Sequence, residues 1–273
     1  RRGAIETAHR VRQRMSAVFV HAIAEGLSTR DPAAVVGKAL KPVPRGRKRP
    51  AILDMDGLHD MIRKTEIEFA SPLTKLASRY VALTAQRLGS VRSMAWTELE
   101  NINWNNDEPC PGAIWRIPAG HMKLSSEKKI EEGYEHLVPL APEAVAVLRA
   151  AKQLTGRGPL VFPGNRNARI PMSENTLSYF YNRCGYQGRH VPHGWRASFS
   201  TIMNEWAERN GTASDRHVID LMLAHIPDGV SGSEGAYNRA AFLDRRREIA
   251  EEWAKMLFES FPAPRKLLDY PSR

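Results

Sequence analysis

Tyr237 closes a series of residues suited to one kind of chemistry: Arg87, Lys123, His193, Arg196 and His225 all precede it. In His193-Gly194-Trp195-Arg196 a histidine and an arginine stand three apart, a spacing that puts both on one face of a helix. Leu221-Met222-Leu223-Ala224-His225 runs an apolar helix up to a histidine at its tip. Ala236-Tyr237-Asn238-Arg239 follows twelve residues later. A phosphodiester resists cleavage because its negative charge repels nucleophiles. Lowering that barrier takes positive donors around the non-bridging oxygens, a positioned nucleophile and an acid for the leaving oxygen. The planar fork of arginine holds two oxygens at once. Phenoxide leaves more readily than an alkoxide, so a phosphotyrosine bond is easily reversed.

Each residue also has a plainer reading. Arg87 fits a surface arginine at a helix end, with Arg92 as a rival for its place. His193 follows a proline and fits a helix cap, Arg196 a solvated helix face, and His225 a helix C-terminus, where a positive charge favours the dipole. A tyrosine such as Tyr237 is more often a packing aromatic than a nucleophile. Lys123 has Lys128 and Lys129 as neighbours. The phosphodiester reading rests on order and spacing together.

The composition supports it. Lysine and arginine number 40 against 30 acidic residues, a net charge of +10. Such an excess favours nucleic acid, and less often an acidic membrane surface, although a solvated basic surface would show it too. Apolar residues make up 42 % of 273, enough for one large domain or a domain plus part of another. Cys110 and Cys184 are the only cysteines, which excludes a disulfide scaffold or a zinc ribbon and points to a reducing cytoplasm. No apolar run reaches the ~18 residues of a membrane span, and no signal peptide is legible. The chain opens Arg-Arg-Gly-Ala without an initiator methionine, as a fragment of a longer protein would.

The elements that must position these residues are mainly helical. Residues 4–25 carry Ile5, Ala8, Val11, Met15, Val18, Phe19, Ala22 and Ile23 at helical spacing, and Gly26 is a stop. Asp31-Pro32 opens a second helix through residue 40. Residues 41–50 hold three prolines and five basic side chains. They read as an extended linker whose Arg45, Arg47, Lys48 and Arg49 could strap a phosphate backbone, or as a plain surface loop. A larger domain then spans 51–273. Helices are expected at 55–67, 72–86, 142–153, 173–183, 194–208, 215–225, 234–242 and 244–260. Residues 113–117 and 135–140 read as a hairpin, with Lys123 between them, and 160–163 as a short extended segment. The fold class expected is mainly α with a small antiparallel β-sheet.

Arg87-Leu88-Gly89-Ser90-Val91-Arg92 with Trp96, Ile117-Pro118-Ala119-Gly120-His121-Met122-Lys123, His136-Leu137-Val138-Pro139-Leu140, His193-Gly194-Trp195-Arg196, Leu223-Ala224-His225 and Ala236-Tyr237-Asn238-Arg239 together resemble the tyrosine recombinases, in particular their phage and genomic-island integrase branch. The resemblance covers about residues 55–260, with six motifs in the family's order. It implies a DNA breaking–rejoining catalytic domain at 51–273, and at 1–40 the end of a helical core-binding domain. Arg87 and Arg196 would clamp the scissile phosphate. His193 and His225 would donate to it or handle protons. Lys123 would protonate the departing 5′ oxygen, with Lys128 and Lys129 as alternatives, and Tyr237 would form a 3′-phosphotyrosyl link. No metal or other cofactor is implied. Leu88 and Ser90 stand where this branch usually has a proline and a glutamate, so a supporting carboxylate is absent or comes from elsewhere.

The resulting expectation is a site-specific recombinase that integrates or excises a mobile element such as a prophage. It would act on double-stranded DNA attachment sites as a homo-oligomer, a tetramer on DNA, without a membrane, in the cytoplasm of a bacterial or phage-infected cell. Two rivals share parts of this pattern: a type IB topoisomerase, which religates the same strand, and a non-catalytic DNA-binding remnant of an integrase. A metal nuclease built on His190, His193, His217 or His225 is more distant, because no carboxylate cluster accompanies them.

Overall fold

The computed structural model describes residues 4–44, 49–122, 134–212, 214–224 and 242–269. The chain divides into two compact units, Arg1–Lys48 and Arg49–Arg273. In the first, α1 (Ile5–Ala24) lies against α2 (Pro32–Val36). Asp31 starts α2 by accepting from the Ala33 and Ala34 amides at 2.8 and 3.2 Å, with Pro32 in the first turn.

The second unit is built around α4 (Pro72–Thr84), in which every residue from Lys75 to Leu83 is buried. Ser71 caps it through the Thr74 amide. Its buried charges are answered locally. Lys75 donates to the Glu66 carbonyl at 2.8 Å and Arg79 to the Glu66 carboxylate at 2.7 Å, both at the end of α3 (Met55–Ile67). A sheet of β1 (Leu99–Glu100), β2 (Ile114–Ile117) and β3 (His136–Pro139), antiparallel throughout, packs beside it. Trp115 and Ile117 face inward, and the Tyr80, Trp115 and Phe162 rings meet at 5.7 Å. On the outer face Arg116 bridges Glu100 and Glu135. The remaining helices are α5 (Leu88–Ser93), α6 (Pro142–Thr155), α7 (Thr176–Tyr181), α8 (Gly194–Asn210), α9 (Asp215–Met222) and α10 (Leu243–Phe258). Trp253 of α10 donates to the Ala82 carbonyl of α4, which ties the end of the chain to the core.

The expected mainly helical fold with a small antiparallel sheet is the one observed. Its boundaries differ in places. The helix expected at 72–86 stops at Thr84, because Ala85 takes the left-handed conformation (φ 49°), and Arg87 then opens the separate helix α5. The helix expected at 173–183 starts at Thr176, after a hairpin of β4 (Pro163–Gly164) and β5 (Asn167–Pro171). Its end loosens at Gly185, φ 85°. Leu160 is extended as expected and bridges Ala95. The expected helix at 215–225 ends at Met222. That at 234–242 lies outside the described residues except for Phe242, which is left-handed. Among the described residues no helix is long and apolar enough to cross a membrane.

Candidate active site

The left-handed turn at the end of α4 determines where Arg87 stands. Gln86 turns inward and donates to the Thr84 carbonyl at 3.2 Å and the Met222 carbonyl at 2.8 Å. Arg87 is therefore held in extended backbone between a buried glutamine and the first turn of α5. It is half-buried, and this desolvation lowers its affinity for the proton.

The second arginine comes from the start of α8. Gly194 is required there by space: a Cβ would lie 2.7 Å from the Pro50 carbonyl and 3.2 Å from the His190 ring. Trp195 donates to the Tyr181 hydroxyl at 3.0 Å, and Ser198 to the Ile52 carbonyl at 2.6 Å. With its root fixed in this way, Arg196 is 5 % exposed and donates to the carbonyls of Ala85 (3.2 Å) and Leu223. Burial first, and then the charge of Arg87, push it down to about 10. At neutral pH both arginines are still cations, held close to each other. An anion between them would relieve their mutual repulsion. His193 sits exposed on the residue that opens α8.

Arg49, Arg87, Arg92, His193 and Arg196 line one cleft, with Glu174 on the same wall. Arg92, the rival for the place of Arg87, donates to the Met172 carbonyl and pairs with Glu174 at 3.1 Å. Arg49 belongs to the same unit as the cleft it lines. His190 is a packing residue. Its Nδ1 accepts from the Ile52 amide at 3.2 Å, its ring lies against Trp195, and burial pushes it down to about 4. His217 lies edge-on to Phe242. No group of three His, Cys, Asp or Glu able to hold a metal is found among the described residues.

Lys123, Lys128, Lys129, His225, Tyr237, Arg45, Arg47 and Lys48 lie outside the described residues. The residues that bracket His225 and Tyr237 are described. On the near side the Met222 carbonyl accepts from Gln86 and from His136 Nε2 (3.2 Å), and Leu223 accepts from Arg196. Burial, then the charge of Arg246, keep His136 well below the usual histidine range, hence neutral. On the far side α10 returns to α9 through a bidentate pair: Arg245 binds the fully buried Asp215 at 2.8 and 2.6 Å. Gln86, Asp215 and Arg245 were not legible as site residues. Gln86 adjoins Arg87, but nothing in its type announces an acceptor 136 residues away.

Fold and cleft together define a helical domain with a small sheet and an arginine-rich cleft. Residues 1–39 match the phage integrase central domain family. Over 94 % of its length the chain is 31 % identical to prophage integrase IntA of Escherichia coli (strain K12), covering 55 % of that protein. It is also 31 % identical to the integrase of Shigella phage Sf6, covering 60 % of it. The chain thus spans little more than half the length of these curated relatives. Among solved structures, a lambda integrase tetramer bound to a Holliday junction superposes with a TM-score of 0.53 at 18 % identity, over 83 % of this chain and 60 % of that one. The integrase from mycobacterium phage Brujita does so at 0.50 and 16 % identity, over 98 % and 78 %. Residues 1–39 thus match a phage integrase domain, and nearly the whole chain is similar to phage and prophage integrases.

Proposed function

We propose that the chain is the DNA-cleaving part of a site-specific recombinase that integrates or excises a mobile element. The observation that carries this reading is the convergence of Arg87, Arg196 and His193 on one cleft, from two helices far apart in sequence. In the proposed reaction Arg87 and Arg196 hold the non-bridging oxygens of one DNA phosphate. The Tyr237 oxygen attacks phosphorus, a Tyr–O–P bond forms, and the P–O5′ bond breaks. The phenol's proton passes to a histidine, His193 or His225. The 5′ oxygen takes a proton from Lys123, with Lys128 and Lys129 as the alternative donors. Reversal by a different 5′-hydroxyl exchanges strands. No energy-donating nucleotide enters these steps, because the bond energy is retained in the phosphotyrosine.

Residues 1–40 are proposed to grip DNA as the end of a core-binding domain, with Arg45, Arg47, Lys48 and Arg49 meeting its phosphate backbone. The proposed partners are double-stranded attachment sites and further copies of the chain, four on a recombining pair of duplexes. The proposed compartment is a bacterial or phage-infected cytoplasm, consistent with Cys110 and Cys184 standing unpaired.

The test is a nicked suicide substrate carrying the attachment site, in buffer without divalent metal. A covalent protein–DNA adduct is expected. A non-catalytic remnant or a metal nuclease gives none. Religation to a second duplex rather than to the same strand separates a recombinase from a type IB topoisomerase.

A further inference from the structure

Three described residues grip the end of β2's hairpin arm just before Lys123. The Ser90 hydroxyl, on α5 three residues after Arg87, donates to the His121 carbonyl at 3.0 Å. The Glu98 carboxylate, 8 % exposed, holds His121 Nδ1 at 3.1 Å with one oxygen and accepts from Trp115 Nε1 at 2.9 Å with the other. Met122 is buried, and its amide closes the turn on the Ala119 carbonyl at 3.0 Å. Lys123 follows directly in the sequence.

This grip joins the proposed phosphate clamp to the proposed acid. Val91 of α5 bonds back to the Arg87 carbonyl at 3.1 Å, so Ser90 moves with Arg87. A change in where His121 sits relative to α5 changes the distance from the clamped phosphate to whatever proton donor the following segment carries. A donor misplaced by about 1 Å costs on the order of a hundredfold in rate.

Building on the recombinase reading, we propose that Ser90, Glu98 and His121 are positioning residues for protonation of the departing 5′ oxygen: Ser90 ties the acid-bearing segment to Arg87, and Glu98 supplies through His121 the carboxylate support that Ser90 itself does not. None of the three touches the reacting atoms. Their effect is confined to the step that needs a proton.

That confinement gives the test. Adduct formation by the 273-residue chain is timed on a nicked strand with an ordinary phosphodiester, and on the same strand with sulfur in place of the bridging 5′ oxygen, a leaving group that needs no proton. Ser90→Ala and His121→Ala are expected to slow the ordinary strand about tenfold or more, with the sulfur strand within about twofold of the unsubstituted chain. His121→Asn places an amide nitrogen where Nδ1 was, keeps the bond to Glu98, and is expected to restore the ordinary strand. His121 is a third exposed, so its variants keep the core. Equal losses on both strands, or no loss on either, overturn the inference while leaving the recombinase reading intact. An unsubstituted chain that forms no adduct on either strand overturns the recombinase reading itself, and this inference with it.

Discussion

The Arg196 guanidinium donates to the carbonyl of Leu223, two residues ahead of His225. The side chain proposed to hold the phosphate thus also pins the end of α9, from which the rest of the catalytic series continues. Arg87 has a different position, half-buried in the wall of the cleft. The two arginines should therefore fail differently. Arg196→Lys cannot reach Ala85, Leu223 and a phosphate with one ammonium. It should lower adduct formation about 10²–10³-fold and also cost about 1–3 kcal/mol of stability. Arg87→Ala should lose comparable activity while staying within about 1 kcal/mol of the unsubstituted chain. Urea melts beside single-turnover cleavage check both. Equal stability losses would remove the structural role given to Arg196.

Tyr237→Phe removes one hydroxyl and little packing area. Duplex binding, measured by gel shift, should be unchanged and the covalent adduct absent. An adduct formed by the Phe variant would assign the nucleophile to another residue.

Much of the fold was legible because its long elements repeat apolar residues at one period. Met55–Ile67 and Gly194–Asn210 are of that kind. The shorter elements were not. Helix α5 has six residues, too few for a period, and starts only because Ala85 adopts a left-handed turn that alanine rarely takes. Strand β1 has two residues and exists only by pairing with β2. At the cleft, order and spacing together singled out Arg87, His193 and Arg196, since each alone has a plainer reading. The supports around them were not legible. Gln86 and His136 meet at the Met222 carbonyl, and such a contact across the fold leaves no local signature. The supporting carboxylate was expected to be absent or to come from elsewhere. Glu98 reaches the turn before Lys123 from the helical turn just ahead of β1, on the far side of the sheet's first connection.

Affinity for duplex DNA should fall steeply with salt, because each basic side chain that meets a phosphate releases a counterion. Replacing Arg45, Arg47, Lys48 and Arg49 together by glutamine should make the slope of log affinity against log salt shallower by up to about 3–4. Arg49 lines the cleft itself, so restoring it alone should recover part of that slope. An unchanged slope in the fourfold variant would reduce this stretch to a tether.

The Asp215–Arg245 pair should make the bracket around Tyr237 sensitive to acid. Asp215 is fully buried, and the hydrogen bonds from Arg245 outweigh the burial that opposes its charge, holding its carboxyl at about 2, below its ordinary 3.8. A carboxyl depressed on folding adds stability that is complete above the unfolded value and disappears as pH falls from about 4 toward 2. Asp215→Asn keeps the shape and loses the charge, so at neutral pH it should cost about 1.5–3 kcal/mol, the range for a hydrogen bond to a charged group. The gap between the two proteins should narrow below pH 4 and nearly close by pH 2. At neutral pH the variant should also exchange amide hydrogens faster in α9 and in the first turn of α10 than in the buried α4. Denaturant melts between pH 2 and 7, with exchange mapped at pH 7, decide it. A gap that stays constant across that range would mean that Asp215 acts through packing, and that the two helices flanking residues 225–241 are not held together by charge.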